Sequence, residues 1–368
     1  MLNICNLKEI SNIKKTKDQY FTFLLLMENE DQNILLSESI SVIHIHNSHT
    51  NFEEVLTITF NNEKNSNTIV FISLMNKNIL VTFKDIIKCI TIDKKKDSSN
   101  ENKITYSYKE LFSMSLNLRG FDFYQCISLK SMENYLVSSC EKEIIHSWTT
   151  NTNTNTNIKT NSNDITYRVK KVLSVCNKDS SSYLLEISSL KLLVSCSFKD
   201  CVLKFFDLSQ NFKFLRKIDN LGQGYYIGCI QLINSYLFIV TSEGINGIIL
   251  IDARYKEIVQ RYEINGLKGW VNSIYANILY NDLNPNNMMF CIGGTFLNDK
   301  KIISSDLQQY EIAKGEIKLV NQKNNAHEET ISSLIYFKVN HLSNTENDNN
   351  QFYLLSQSKS YTKIWSNS

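Results

Sequence analysis

Proline is nearly missing from this chain, with 1 in 368 residues beside only 11 glycines, against usual shares of about 5% and 7%. That scarcity excludes collagen-like and proline-rich extended architectures, and it leaves tight turns to be built from something else. Asparagine is abundant, tolerates left-handed backbone and bonds its own main chain, so it is the expected turn former. Net charge is nearly absent too: 39 basic against 37 acidic residues leaves +2, so no global field draws the molecule toward nucleic acid or an anionic membrane.

Long apolar runs are also lacking. The run at 23–27 is far too short to span a bilayer, and residues 1–19, MLNICNLKEISNIKKTKDQ, carry acids where a secretory leader needs an unbroken apolar segment. The expectation is a soluble protein of the cytoplasm or nucleus. Paired cysteines are missing as a pattern. The 9 cysteines are odd in number and sit mostly inside apolar runs (Cys89, Cys126, Cys140, Cys196, Cys229, Cys291), as small buried hydrophobes do in a reducing compartment.

What is present is a core: 42% of residues are apolar and 11% aromatic, enough for one large domain. Short apolar and β-branched runs alternate with Asn, Asp, Lys and Ser, and no stretch sustains a helical period, so the chain reads as all-β. One unit recurs: an apolar run, a break, two further runs joined by a short turn, then a more polar fourth. Its first strands are expected at 20–27, 68–74, 123–129, 183–188, 226–233, 270–279 and 331–337, which makes seven units. Fourth strands are expected at 54–60, 103–112, 166–175, 212–218, 257–264 and 316–322. The seventh unit has none, and an open strand edge is a liability, so segment 6–13 is expected to supply it and close a ring. Polar tracts at 93–103, 149–164 (with its NTNTNTN run) and 341–351 bury too little to order themselves and are expected as surface loops of a single domain spanning 1–368.

Residues 195–207, SCSFKDCVLKFFD, give this repeat its specificity. They resemble the hairpin of the WD-repeat family: Ser, a tight turn with Asp, an aliphatic, Lys, an apolar residue, Trp or Phe, then Asp. Phe206 and Asp207 stand where that family has Trp-Asp, and Asp200 stands at the turn. The last unit is similar, with His327 ahead of it and LLSQSKSYTKIW ending in Trp365. The resemblance implies a seven-bladed β-propeller of four-stranded antiparallel blades, closed by the N-terminal strand. It also implies structural roles for Asp200, Phe206, Asp207, Trp148 and Trp365, which tie inner strands to outer connections. The chain departs from the pattern in having no literal Trp-Asp pair: Thr149 follows Trp148 and Ser366 follows Trp365.

Motifs for chemistry are scarce. His44 and His46 share one face of a strand, but no acid or thiol lies at ligand spacing in the sequence, and Cys196 with Cys201 lacks the second close pair of a zinc site. No GxSxG elbow occurs, and Gly222, Gly224, Gly244 and Gly247 lack the Lys-Ser/Thr of a phosphate loop. No enzyme, cofactor or metal is expected. The basic groups Lys94–Lys96, Lys170–Lys171 and Lys300–Lys301 fall on outer strands or loops, where solvated charge is the ordinary role.

What remains is recognition. Propellers present loops around a rigid rim, and the loops entering first strands here carry Phe121, Tyr225, Lys268, Trp270 and His327, residue types suited to protein-binding hot spots. Leu250–Arg254, LIDAR, looks like the WDxR box by which some WD-repeat substrate receptors dock on the adaptor of cullin-type ubiquitin ligases, with Asp252 and Arg254 in place and Ile251 where Trp belongs. The plainer reading is a blade-end Asp beside a solvent Arg. The expected function is a non-catalytic scaffold or adaptor of a eukaryotic multiprotein complex, with other proteins as partners, nucleic acid only indirectly and no small-molecule substrate. Two alternatives are an auxiliary subunit of an RNA-modifying enzyme such as a tRNA methyltransferase, and a substrate receptor of a cullin-type ligase.

Overall fold

The computed structural model describes residues 8–14, 24–29, 32–39, 42–47, 53–60, 69–97, 100–115, 123–132, 135–140, 144–150, 167–174, 182–197, 201–219, 221, 227–242, 247–264, 267–276, 288–297, 303–329, 331, 333–339, 351–358 and 361–366. They are almost entirely strand. The first, β1 (Lys8–Lys14), pairs with nothing nearby in sequence. Then come β2 (Leu24–Asn29), β3 (Gln32–Ser39), β4 (Val42–Asn47) and β5 (Glu53–Thr59), an antiparallel sheet in chain order. The pattern repeats with β6 (Ile69–Met75), β7 (Asn78–Phe83), β8 (Ile86–Asp97) and β9 (Asn100–Ser115), and with β10 (Phe123–Ser128), β11 (Tyr135–Cys140), β12 (Ile144–Thr150) and β13 (Tyr167–Ser174). Next are β14 (Ser182–Ile187), β15 (Leu192–Ser197), β16 (Leu203–Asp207) and β17 (Lys213–Ile218), followed by β18 (Ile227–Leu232), β19 (Leu237–Ser242), β20 (Gly247–Asp252) and β21 (Glu257–Glu263). A further sheet holds β22 (Leu267–Ala276), β23 (Met288–Leu297), β24 (Ile303–Ala313) and β25 (Glu316–His327). Finally β26 (Ser333–Val339), β27 (Gln351–Gln357) and β28 (Tyr361–Ser366) take β1 as their fourth strand.

The described residues thus form seven four-stranded antiparallel sheets. Lys14 lies opposite Tyr361 and Lys8 opposite Ser366, so the two ends of the chain share one sheet, as the unfilled last unit led us to expect. The innermost strands touch in succession, β2 to β6, β6 to β10, and on to β22, β26 and back to β2. Buried clusters lie between neighbouring sheets: Ile43, Ile45 and Ile58 pack against Ile72, Ile79 and Val81, and Leu192, Val194 and Phe205 against Phe238, Val240 and Ile249. A strand buried on both faces needs apolar residues in unbroken runs, which is why GIILID (β20) is buried at every position.

One register explains how far each repeat has drifted. At the last aromatic of the third strand, Trp148 Nε1 donates to the second-strand Ser138 Oγ at 2.7 Å. Trp365 Nε1 donates to Ser356 Oγ at the same 2.7 Å. Phe206 occupies the equivalent register opposite Leu193, has no N–H to offer, and leaves the buried Ser195 Oγ without a hydrogen-bond partner among the described residues. In the next sheet both partners are apolar, Ile251 and Val240, which removes the bond without orphaning either group.

Turns follow the asparagine expectation in part. Asn234 Oδ1 accepts the amides of Tyr236 (2.9 Å) and Leu237 (2.7 Å), closing the β18–β19 turn. Left-handed positions are filled by Asn76, Asn211 and Asn325, but equally by Lys191, Lys256 and Lys314, and by Cys201 and Phe212, whereas among described glycines only Gly315 has positive φ.

The tract at 93–103 corrects the sequence reading. Its described residues, 93–97 and 100–103, continue β8 and β9, with Lys94 opposite Tyr106 and Lys96 opposite Ile104. Ile92 and Tyr106 pack against the neighbouring core cluster and anchor the ribbon, so its order comes from a few apolar anchors and a continuous backbone ladder. The other two polar tracts, apart from 149–150 and 351, lie outside the described residues, as does Asp200.

Candidate protein-interaction surface

The best-defined polar construction on the described surface is the β20–β21 turn. β20 ends in Asp252, whose side chain is largely buried because the LIDA run carries it into the sheet end. Its Oδ1 accepts the Arg254 amide at 2.9 Å, closing a local turn. The same carboxylate takes the Arg254 guanidinium as a fork, Nη2 to Oδ2 at 2.6 Å and Nε to Oδ1 at 3.1 Å. That hydrogen bonding raises the Arg254 pKa above its ordinary value, so the charge is permanent.

Tyrosines flank the guanidinium. Its Cζ sits 3.6 Å from the centroid of the Tyr236 ring and 5.4 Å from that of Tyr255. Tyr236 reaches this place because Leu237 lies opposite Asp252 and the Ala253 amide bonds Tyr236 O at 2.9 Å. Tyr255 is 65% exposed. From the preceding sheet Arg216 Nη1 bonds Tyr255 O at 3.3 Å and Glu257 Oε1 at 3.1 Å, tying the turn to β17. The result is an arginine braced by Asp252 over the Tyr236 ring with Tyr255 near it, a side chain already partly ordered before any binding.

Asp207 marks the equivalent turn one sheet earlier. Its Oδ1 accepts Ser209 N at 2.8 Å, Ser209 Oγ at 2.6 Å and Gln210 N at 3.3 Å, and the Ser209 hydroxyl bond leads in holding its pKa below the ordinary carboxylate value. The acids closing β16 and β20 are therefore both turn-formers, and Asp252 adds a guanidinium to that role.

The remaining site residues scatter. Phe121 and Tyr225 lie outside the described residues, and Lys268 and Trp270 belong to β22 in a stretch whose side chains are not described. His327 is buried, not displayed: Nε2 faces Ser356 Oγ at 2.6 Å and its ring meets Trp365 edge-on. Burial, with Lys363 nearby, pushes its pKa down to about 3, so the ring is neutral at physiological pH. Phe206, Trp148 and Trp365 are all buried between sheets. Tyr236, Tyr255 and Arg216 were not singled out in the sequence; Tyr255 stands beside Arg254, but Tyr236 joins it only through strand register.

Around His44 the structure supplies the acid that sequence spacing hid. Glu54 Oε2 lies 2.8 Å from His44 Nδ1, and the Thr57 hydroxyl donates to the other carboxylate oxygen. Burial pushes Glu54 up, yet the Thr57 bond and the two imidazoles outweigh it and the carboxyl sits below its ordinary value. A hydrolase relay needs acid and nucleophile on opposite imidazole nitrogens. Here both face Nδ1, with Thr57 Oγ1 at 3.5 Å, so Thr57 is not activated by this arrangement. Among the described residues no three His, Cys, Asp or Glu side chains are grouped to hold a metal. Burial raises the Cys89 and Cys291 thiols to about 12, which makes them unreactive.

Solved β-propeller structures resemble this fold. The β-propeller domain of Cps50 (Swd1) from Myceliophteria thermophila superposes with a TM-score of 0.60 at 10% identity, covering 98% of this chain and 99% of that one. The WD40 domain of Toxoplasma gondii coronin gives 0.59 at 12% identity over 98% and 87%. The fold is a WD40-type β-propeller. Chaetomium thermophilum Sqt1, solved with the N-terminus of ribosomal protein L10 bound, matches this propeller at 0.58 and 10% identity over 97% and 90%. Raptor from the same fungus matches at 0.63 and 11% identity, with 98% of this chain covering 29% of that one. No family model matches the propeller's sequence, and no curated protein does.

Proposed function

We propose that this chain is a non-catalytic interaction scaffold of the cytoplasm or nucleus, its sheets the blades of a seven-bladed propeller, holding protein partners within a larger complex. The observation that carries the reading is the Tyr236–Arg254–Tyr255 stack braced by Asp252. Arginine and tyrosine held rigid at a partly desolvated spot are the residues whose removal costs an interface about 2 kcal/mol or more. The likeness to Sqt1, whose structure contains a ribosomal-protein segment, supports a protein partner as the type of ligand.

The test is affinity capture of the full chain from its own cells, comparing wild type with Tyr255→Ala. Tyr255 is exposed, so its removal leaves the turn standing. Arg254→Ala is a harsher variant, because it strips the counter-charge from a buried carboxylate and lowers stability as well as binding. Loss of specific partners on Tyr255→Ala supports the reading; identical partner sets in both would oppose it.

A narrower second reading rests on the same arginine. Arg254 follows Asp252 at WDxR spacing and its side chain is 44% exposed, compatible with docking on the adaptor of a cullin-type ligase. A titration against purified adaptor decides it. Submicromolar binding abolished by Arg254→Lys, which cannot reproduce the fork, is the expected result.

A further inference from the structure

The outer strands share a backbone irregularity. In each of the seven sheets one extra residue is squeezed into the outer strand, opposite the step that leads to the third-strand position held by Trp148, Phe206 or Trp365 in three of them. Leu215, Val259 and Val320 are such residues. A bulge throws the free backbone groups on its two sides out of phase, so a straight incoming strand can match only one side. In six outer strands this leaves no unbroken ladder longer than four residues.

β9 differs. Beyond its extra residue, Leu111, it pairs with β8 over seven uninterrupted residues, from Glu110 opposite Ile90 to Ile104 opposite Lys96. The ladder of β7 on β8 stops at Ile90, so past that point the described sheet is only two strands wide. A two-stranded ribbon is marginal by itself and gains from each further strand. Its β8 margin carries Lys94, Lys95 and Lys96 in succession, which discourages pairing, whereas residues 104–110 of β9, ITYSYKE, include a single lysine.

The ITYSYKE order is nearly symmetric about Ser107. Laid antiparallel on a second copy with Ser107 opposite Ser107, Tyr106 meets Tyr108, Thr105 meets Lys109 and Ile104 meets Glu110. No charge meets its like, and the two tyrosine pairs fall on one face, an arrangement that favours cross-strand pairing. Thr105, Ser107, Tyr108 and Lys109 are exposed, Tyr108 at 44%, so this stretch is open to solvent. Tyr106 is half-buried against its own core, which fixes it for an incoming Tyr108.

We propose that two copies of this chain join edge to edge through β9, antiparallel about Ser107, making one four-stranded ribbon from two ribbons of two strands. The contact is small, so association belongs in the micromolar range. The dimer does not depend on the scaffold reading; where both hold, each Tyr236–Arg254–Tyr255 stack is presented twice.

Sedimentation velocity of the full chain across the micromolar range is the test. The wild type is expected to pass from monomer to dimer. Ser107→Lys sets two lysines face to face and Ser107→Asp two acids, so each variant alone should remain monomeric, while an equal mixture of the two should dimerise again. Circular dichroism matching the wild type establishes that the variants are folded. Should either misfold, Tyr108→Glu, which removes both tyrosine pairs, should be monomeric in its place. Val259→Lys, on the bulged β21, should leave the dimer unchanged. A wild type that stays monomeric, a dimer indifferent to Ser107→Lys or Tyr108→Glu, or a mixture that fails to reassociate would each overturn the proposal, and none of these outcomes bears on capture of partners through Tyr255.

Discussion

Replacing serine by alanine in one strand register should have opposite signs in different blades. Ser138 and Ser356 each accept a Trp Nε1–H at 2.7 Å, and Ser356 also faces His327 Nε2 at 2.6 Å. Alanine there leaves a buried indole donor unpaired, a penalty of about 1–3 kcal/mol, with the larger value at Ser356 because two partners lose their bond. Ser195 sits at the same position, two residues beyond the Leu193 that faces Phe206, and its hydroxyl is buried without a partner among the described residues. Alanine there removes an unsatisfied group and should stabilise by up to about 1 kcal/mol. Phe206→Trp is the complementary change: its new N–H can reach Ser195, set against about 1–3 kcal/mol for overpacking. The decisive quantity is the coupling in a Phe206→Trp, Ser195→Ala double-mutant cycle, expected near 1 kcal/mol favourable. Urea denaturation followed by tryptophan fluorescence and circular dichroism reads all of these. Equal destabilisation by alanine at all three serines, or zero coupling in the cycle, would refute the assignment of these residues as a shared blade clasp.

Three other outcomes follow from particular atoms. A Cβ on Gly247 would lie 2.1 Å from Tyr262 O, backbone that cannot yield, so Gly247→Ala should cost at least about 2 kcal/mol in the same urea assay. Lys191 holds a left-handed φ of 50° after a single 3-10 turn at Ser188–Leu190, so Lys191→Gly should stabilise by about 0.5–1 kcal/mol, visible as a raised Tm. His327 is held neutral down to about pH 3 in the fold but titrates near its ordinary 6.5 when unfolded, so the unfolded state binds the extra proton and stability falls as pH drops through that window. About 2 kcal/mol should be lost between pH 6.5 and 5, and His327→Gln should flatten that slope in denaturation curves measured at each pH.

The fold was legible because its signals are local and repeated. Apolar runs ending at Trp148, Phe206 and Trp365 close the third strand of their units, and the outer strands expected at 212–218 and 257–264 lie within a residue of Lys213–Ile218 and Glu257–Glu263. What sequence could not supply was register. Tyr236 meets Arg254 because β19 and β20 pair as they do, and Glu54 meets His44 across β4 and β5. Composition misled over the described part of 93–103, where β8 and β9 continue as a paired ladder beyond Ile92 and Tyr106, which pack on the core. His327 likewise looked like a loop residue free to bind, yet its hydroxyl partner Ser356 lies 29 residues away and draws it inside.

The most direct test of the scaffold reading is gentle affinity capture of the full chain at physiological salt, with mass spectrometry, beside a folded Tyr255→Ala variant. The expected result is a defined set of co-purifying proteins from the wild type, with part of that set lost from the variant. Recovery of the wild type alone as a free monomer would contradict it.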